Sequence, residues 1–192
     1  LLTLKPDLVL VQGVMDHVQR FCRTYGIACS AYRPDDFAGI TNTLQELGML
    51  TGTGATAAVV RAALAARWDA VRTARAHHTP VPAFVCLYRE PARIASFTTA
   101  GARSFIIEAL EAAGGSNVCR DVAGSYPTVA LELIVSRQPR VIFDILPPAL
   151  SARQQRTYLA AWREVRGVAA ARSGHVVAIT NACALIPGPR MV

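Results

Sequence analysis

The feature that most constrains the fold is a long alanine-rich stretch, 54-GATAAVVRAALAARWDAVRTARAHH-78, which contains no proline and no second glycine. Alanine and arginine are strong helix formers, and the first residue that would break the pattern is Pro80. At 1.5 Å per residue, about 24 residues form a rod of roughly 36 Å. Because a crossover helix is usually shorter, the stretch predicts a rigid connection between two parts of the chain.

Apolar runs and helical patterns alternate on the amino-terminal side of this helix. The runs 7-DLVLVQG-13 and 27-IACSAY-32 are typical of buried strands, and helices are predicted over 14–26 and about 35–47. Strands that alternate with helices indicate a parallel sheet covered by helices.

The same alternation returns after the long helix. Strands are predicted at 83–88, 140–145 and 175–180, and helices at 103–113, 128–137 and 151–170. The fold class is therefore α/β, with two Rossmann-like lobes that contain parallel sheets and are joined by one long rigid helix. The predicted domains are the remainder of an amino-terminal α/β lobe (1–53), the connecting helix (54–79) and a carboxy-terminal α/β lobe (80–192).

A short internal repeat, called the echo below, indicates two related lobes. The segment 3-TLKPDLVLV-11 matches 136-SRQPRVIFD-144 in residue type, with a helix end, a proline, a charged residue and then a buried strand. Two copies on either side of a long helix indicate a pseudo-symmetric molecule.

Composition excludes several classes of protein. Hydrophobic residues make up 52% of the chain and charged residues 17%, which favours a large core over disorder. No apolar run approaches the roughly 20 residues of a transmembrane helix. The formal net charge is +7, but the arginines are scattered and Lys5 is the only lysine. A nucleic-acid surface would show a cluster or stripe, so nucleic-acid binding is not expected.

Residues with reactive side chains form no recognisable catalytic or metal-binding pattern. The five cysteines contain no C-x-x-C pair, and none is spaced with a histidine as in a zinc site. We interpret the cysteines as small buried hydrophobes, with a disulfide left open for an oxidising compartment. The four histidines match no known catalytic spacing. We therefore expect no catalytic residues, no metal site and no cofactor, which favours a binding protein over an enzyme.

A glycine-rich turn keeps an enzymatic alternative open. The sequence 52-GTGATA-57 matches the G-x-G-x-x-A fingerprint of dinucleotide-binding folds, which requires a strand before the first glycine. The preceding 44-LQELGML-50 has a helical pattern instead. The alternatives to a ligand-binding protein are thus a nucleotide-dependent α/β enzyme using 52–57 and a scaffold module that has lost its ligand.

Aromatic and polar residues follow the predicted strands. Parallel sheets bind ligands at the carboxyl ends of their strands, and two further aromatic residues lie in predicted loops. A cleft lined by such side chains suits a large, partly apolar and anionic ligand. The predicted ligand-binding residues are Gln12, Tyr32, Arg33, Tyr88, Arg89, Phe97, Tyr126 and Asn181.

An ordered set of motifs resembles a known family across essentially the whole chain. The motifs are 4-LKPDLVL-10, 47-LGMLTG-52, 105-FIIEALEAAGGSNV-118, 126-YPTVALELIVSRQPRVI-142 and 187-PGPR-190. They are similar to the class III (helical-backbone) periplasmic substrate-binding proteins of bacterial ABC importers for vitamin B12, ferric siderophores and haem.

The resemblance implies a periplasmic, or extracellular lipid-anchored, binding protein that delivers a metal chelate to an ABC permease in the inner membrane. In that family each lobe exposes a glutamate that docks onto permease arginines. By position in the Y-P-x-V-x-x-E pattern, the second-lobe glutamate is Glu132, and the echo places its first-lobe counterpart upstream of Leu1.

Two departures from the family pattern affect what is expected. Members have further strands before the segment that matches 4–10, so the resemblance implies an amino-terminally truncated first lobe without its signal segment. The cobalamin-binding members also have an aromatic residue where 180-TNACALIPGPR-190 has Cys183. The cargo therefore stays open between a corrinoid, a ferric siderophore and haem.

Overall fold

The computed structural model describes residues 2–91, 93–147 and 149–190. Its internal contacts divide the chain into a first unit, Leu1–Ala62, and a second unit, Ala63–Val192. The division falls inside one long helix, Gly54–Arg75, which occupies the alanine-rich stretch as predicted. Among the described residues, no helix combines the length and apolar character that crossing a membrane requires.

The first unit contains a two-stranded parallel sheet with its helices. Its elements are β1 (Leu8–Gln12), α1 (Asp16–Thr24), β2 (Ala28–Tyr32), α2 (Phe37–Leu50) and the start of α3 (Gly54–Arg75). In the sheet, Leu8 lies opposite Ala28, and Gln12 lies opposite Tyr32. The predicted order of strands and helices is present here without a missing or extra strand.

The turn between α2 and α3 explains the glycines at 48 and 52. Gly52 adopts a φ of +71°, a left-handed conformation that favours glycine, and it ends α2. At Gly48, an added Cβ would lie 2.3 Å from the Cβ of Ala57, because the two helices pack closely at this point. The turn therefore joins two helices and follows no strand.

The second unit contains a six-stranded mixed sheet. Its elements after α3 are β3 (Val81–Tyr88), β4 (Ser96–Thr99), α4 (Phe105–Ala112), β5 (Gly115–Asn117), β6 (Thr128–Ala130), α5 (Leu131–Arg137), β7 (Val141–Ile145), α6 (Ala152–Trp162), α7 (Ala169–Ser173) and β8 (Val176–Ile179). The strand order is β6-β4-β3-β7-β8, and β5 pairs with β3. Strands β3, β5, β7 and β8 run parallel, whereas β4 and β6 are antiparallel to their neighbours.

The sheet of this unit contains the predicted parallel strands and, in addition, short strands that were not predicted. Three short strands, β4, β5 and β6, lie in segments that were predicted as loop or helix. They are three or four residues long and are stabilised by long-range pairing rather than by an apolar run. The helix predicted over 151–170 is divided into α6 and α7, and the connecting residues include Gly167, a poor helix former.

The core of the second unit is layered on both faces of β3. Phe84 and Cys86 face one cluster, and Ala83 and Val85 face the other, as expected for side chains that alternate along a strand. The first cluster is built around fully buried Trp162. This packed sheet supplies a rigid support for the loops at its edges.

Candidate functional site

The carboxyl ends of the parallel strands in the second unit lie at one edge of the sheet. Strand β3 ends at Tyr88, β7 at Ile145 and β8 at Ile179. Tyr88 is 66% exposed, and Asn181, just after β8, is also exposed. The structure therefore places these two predicted residues at the same sheet edge, separated by β7.

Arg89 is placed differently from the prediction. It is 3% exposed, and its Nη2 and Nε lie 2.8 and 3.1 Å from Oδ2 of Asp144. Nη1 also donates to the carbonyls of Glu90 and Pro91, and Nη2 donates to the carbonyl of Tyr158. A guanidinium has five N–H donors, and these five bonds use its capacity. The predicted role of Arg89 as a partner for an anionic ligand was wrong.

Asp144 connects three elements beneath this edge. Besides Arg89, its Oδ2 accepts a hydrogen bond from Nε1 of Trp162 at 2.8 Å. The guanidinium carbon of Arg89 lies 5.1 Å from the ring centroid of Tyr158 and 5.5 Å from that of Trp162, within cation–π range. Burial raises the pKa of the neighbouring Cys86 thiol, and the charge of Asp144 raises that pKa further. Cys86 thus stays a protonated core residue.

A small pocket of about 200 Å³ lies above this ion pair. Its lining combines the exposed Tyr88 with buried Asp144 and with Tyr158. The remaining lining residues are Leu87, Arg89, Ile145, Leu146, Pro147 and Leu185. The pocket has room for a substituent of a ligand rather than for a whole metal chelate.

Phe97 is a core residue and was wrongly predicted as a ligand contact. It lies in β4, is 1% exposed and stacks on Trp162 with ring centroids 5.2 Å apart and an interplanar angle of 9°. Its ring also meets Phe84 edge to face at 5.4 Å. Sequence reasoning placed it in a loop because the short strand 96–99 carries no strong apolar alternation.

Tyr126 lies in a loop that is held tightly against the end of β4. It is 52% exposed and precedes Pro127. The neighbouring Ser125 carbonyl accepts a hydrogen bond from the Gly101 N–H at 2.8 Å. An added Cβ at Gly101 would lie 1.9 Å from the carbonyl oxygen of Gly124. Close backbone contact between the two loops therefore fixes the position of Tyr126.

Buried Asn117 anchors the same loops from below and was missed from the sequence. Its Nδ2 donates to the carbonyl of Ala100 at 3.1 Å, and its Oδ1 accepts from the N–H of Cys119 at 3.0 Å. The signal that could have found it is its place after Gly114 and Gly115, where a short polar strand follows a helix end. A comparable signal for Asp144 is an acidic residue inside the apolar run 141-VIFDI-145.

Asn181 lies at the mouth of a larger cavity of about 360 Å³. Its Oδ1 accepts a hydrogen bond from the Cys183 N–H at 3.0 Å, which starts the short 3₁₀ helix Ala182–Leu185. The lining is mainly apolar, with Asn181 and Arg190 as its polar members. The other lining residues are Val85, Phe105, Ile106, Ala109, Leu110, Ala113, Phe143, Ile145, Ile179, Cys183 and Ala184.

In the first unit, Gln12 and Tyr32 lie side by side at the carboxyl ends of β1 and β2. The Gly13 N–H donates to the carbonyl of Tyr32 at 2.9 Å, so the two strand ends are joined by backbone. Gln12 and the next predicted residue, Arg33, are exposed, and Tyr32 is half-buried. The three side chains therefore share one edge of this sheet.

Glu132 lies in the first turn of α5 and is exposed. The helix follows β6 directly, and the N–H of Leu131 donates to the carbonyl of Ala95 at 2.8 Å. The residue before the helix, Ala130, offers no side-chain cap. Glu132 is thus a surface carboxylate on a rigid support at the β6 side of the sheet.

The structure offers no support for the nucleotide-binding alternative. Gly52 follows α2, whereas a dinucleotide-binding turn follows a strand. Within residues 2–91, 93–147 and 149–190, no three side chains of the His, Cys, Asp or Glu type are grouped to hold a metal ion.

The family model described as "Periplasmic binding protein" matches residues 1–182. The chain belongs to this family, whose members are binding proteins rather than enzymes. The resemblance stated from the motifs is confirmed by this match, and the α/β fold class is confirmed by the solved structures that share the fold.

Individual similar proteins agree with the family match. A "Cobalamin-binding protein" of Halobacterium salinarum is 31% identical over 194 residues, covering 98% of this chain and 51% of the relative. The chain thus spans about half the length of the curated relatives it matches.

Solved structures share the fold. The periplasmic vitamin B12 binding protein BtuF of Vibrio cholerae has a TM-score of 0.72 at 23% identity, with 99% of this chain and 70% of that one covered. The periplasmic haem binding protein HutB of Vibrio cholerae has a TM-score of 0.79 at 20% identity, with 97% and 72% covered. Other similar structures include an ABC transporter substrate-binding protein and a protein of an Fe³⁺-hydroxamate transport system.

Proposed function

We propose that the chain is part of the substrate-binding component of an ABC importer, which captures a metal chelate outside the cytoplasm and delivers it to a membrane permease. The observation that carries the proposal is the family match over residues 1–182 together with 31% identity to a cobalamin-binding relative over 98% of the chain. The relatives named as periplasmic support the compartment.

A corrinoid is the first candidate for the cargo, and haem and ferric siderophores are the alternatives. The named function of the Halobacterium relative favours the corrinoid. The chelate itself is the cargo, and the protein needs no cofactor of its own to bind it. The exposed residues Tyr88, Tyr126 and Asn181 supply aromatic faces and an amide, groups that suit a large ring with polar substituents.

A binding assay with three cargo classes tests the proposal. The mature full-length protein is titrated with cobalamin, haem and a ferric hydroxamate, and binding is followed by the absorbance of the chelate and by quenching of Trp68 and Trp162. We expect saturable one-to-one binding of cobalamin. Binding of haem or the siderophore alone would contradict the corrinoid assignment, and binding of none of the three would contradict the proposed function.

Site variants test whether residues of the second unit take part in cargo binding. Tyr126→Ala is expected to weaken the affinity about tenfold or more, because an aromatic anchor in an interface contributes about 1.4 kcal/mol or more. The matched control is Tyr25→Ala, which removes an equally exposed tyrosine at the end of α1. An equal loss in both variants would show that Tyr126 has no specific part in binding.

A further inference from the structure

The outward side of α6 carries a row of arginines. Arg153, Arg156 and Arg163 are exposed and line a shallow groove of about 400 Å³. Residues three and seven positions apart lie on the same side of a helix, and the opposite side of α6 is fixed in the core by buried Trp162. The other lining residues of the groove are Thr157, Leu159 and Ala160.

The positive charge of this row is not neutralised within the protein. In the part of the chain that the structure describes, no acidic side chain forms an ion pair with any of these three guanidinium groups. The segment 151–173 contains five arginines and a single acidic residue, Glu164. Its net charge is therefore +4, which is more than half of the formal +7 of the whole chain.

The core and a helix cap hold the row in a fixed position. At the start of α6, the Ser151 hydroxyl accepts a hydrogen bond from the Gln154 N–H at 3.3 Å, and Oε1 of Gln154 accepts one from the Ser151 N–H at 2.8 Å. On the inner side, Nη2 of Arg89 donates to the carbonyl of Tyr158 at 2.7 Å. Because the helix backbone is already ordered, binding through its outer side costs mainly the entropy of the arginine side chains.

We propose that this side of α6 is a contact surface for the anionic phosphate headgroups of a membrane. The location rests on the proposed function, since a binding component that delivers cargo to a permease works beside a membrane. From Arg153 to Arg163 the row extends about 15 Å, at 1.5 Å per residue. All three guanidinium groups therefore reach a flat surface when the helix lies parallel to it, and each adds to the attraction by anionic lipids.

The make-up of the groove favours lipid headgroups over nucleic acid. Binding of single strands adds aromatic side chains on which bases stack, and binding of duplex DNA usually involves more phosphate contacts than three arginines supply. The described lining of the groove contains no aromatic ring. A basic surface without an inserted apolar group gives weak and reversible membrane adsorption. Such adsorption suits a protein that must leave the membrane surface to collect its cargo.

Co-sedimentation with vesicles tests the proposal. The full-length protein, expressed in a form that carries no lipid, is mixed with neutral phosphatidylcholine vesicles or with vesicles that contain about 30% phosphatidylglycerol. We expect binding to the anionic vesicles only, and a decrease of binding with added salt, because exposed charges are screened. Replacing the three arginines of the row by glutamine should lower the partition coefficient by about fivefold for each arginine, and on the order of a hundredfold in the triple variant.

Three exposed arginines outside α6 provide the matched control. Replacing Arg20, Arg23 and Arg120 by glutamine removes the same total charge and should leave vesicle binding nearly unchanged. A second triple variant, with lysine in place of the three arginines of the row, should keep most of the binding, because the attraction depends on charge. All three variants should keep the Tm and the cargo affinity of the wild-type protein, since the replaced side chains are exposed.

Four outcomes would overturn the proposal. Equal losses in the two glutamine variants would show that net charge alone explains the binding, and loss in the lysine variant would show that charge is not its cause. Equal binding to neutral and anionic vesicles would exclude an anionic headgroup as the partner. Tighter binding to duplex DNA than to anionic vesicles at the same salt concentration would assign the row to nucleic acid. Failure to bind anionic vesicles by a protein that binds its cargo would leave the proposed function intact.

Discussion

Arg89 and Asp144 form an ion pair in which both side chains are almost completely buried, with Nη2 and Oδ2 2.8 Å apart. The pair joins the residue after β3 to β7 at the edge where the parallel strands end, and Trp162 of α6 donates a further hydrogen bond to Asp144. Removing one member leaves the other charge buried without a counterion. The pair is therefore a structural element beneath the candidate site rather than a contact for the ligand.

Asp144→Ala should destabilise the second unit by about 3–5 kcal/mol, the range found when one partner of a buried pair is removed. The double variant Arg89→Met with Asp144→Leu should lose less than the sum of the single losses, because neither charge remains. Urea denaturation followed by circular dichroism measures each free energy of unfolding. Additive losses would show that the two residues are not coupled.

The packing of Phe97 gives a second prediction. Phe97→Ala should cost about 3–5 kcal/mol of stability, since it leaves a cavity between Phe84 and Trp162. Tyr126→Ala removes a half-exposed ring and should cost much less in the same urea experiment. The opposite outcome would be a Phe97→Leu protein that is as stable as the wild type and binds the cargo more weakly. That outcome would show that Phe97 contacts the ligand.

The contact between the loops around Gly101 and Gly124 gives a third prediction. Gly101→Ala should destabilise the protein by about 1–3 kcal/mol, because its Cβ would collide with the Gly124 carbonyl and push the loops apart. It should also weaken cargo binding by displacing Tyr126. Gly54→Ala is the control, since an added Cβ there meets no atom within 4 Å at the start of α3. Equal Tm values for the two variants would contradict this account.

An exposed ion pair makes the stability of the folded protein depend on pH. Nη2 of Arg137 lies 2.6 Å from Oδ2 of Asp121, and this hydrogen bond lowers the pKa of Asp121 below its ordinary value of 3.8. A lowered carboxyl pKa stabilises the folded protein above pH 3.8, and this contribution is lost as the pH falls through the folded-state pKa.

Asp121→Asn should therefore lower the Tm slightly at neutral pH and have no effect at a pH well below 3.8. The effect should be small because both side chains are partly in water, and it should decrease with added salt. Thermal melts of both proteins between neutral and strongly acidic pH measure it. A difference that grows on acidification would have the wrong sign for this pair.

Long periodic elements could be predicted from the sequence, whereas short paired strands could not. The uninterrupted alanine-rich run of α3 and the apolar runs of β3 and β7 are local signals, and each is present near its predicted bounds. Strands β4 and β6 depend on pairing with each other and with β3, so their few residues carry little local information. Missing these strands placed Phe97 in a loop.

Prediction of the candidate site from the sequence was likewise correct where it used local signals and failed where it needed long-range contacts. The rule that parallel sheets bind ligands at the carboxyl ends of their strands placed Gln12, Tyr32 and Tyr88 at sheet edges correctly, because it depends only on where a strand ends. It failed for Arg89, whose environment depends on Asp144, 55 residues further along the chain. Side-chain pairing at such a distance is not encoded in local spacing.

Glu132 gives the last prediction, which addresses the proposed permease. If this exposed carboxylate meets arginines of a membrane partner, Glu132→Arg should leave stability and cargo affinity near the wild-type values and reduce uptake at least tenfold. Reversing the charge would replace attraction by repulsion at the contact.

Glu111→Arg, which reverses an exposed glutamate in α4, is the matched control and should keep uptake. Uptake is measured in cells that depend on this protein for the cargo, and binding is measured with the purified variants. If Glu132→Arg abolished cargo binding, the residue would belong to the ligand site. If it transported normally, the carboxylate would have no essential role in docking.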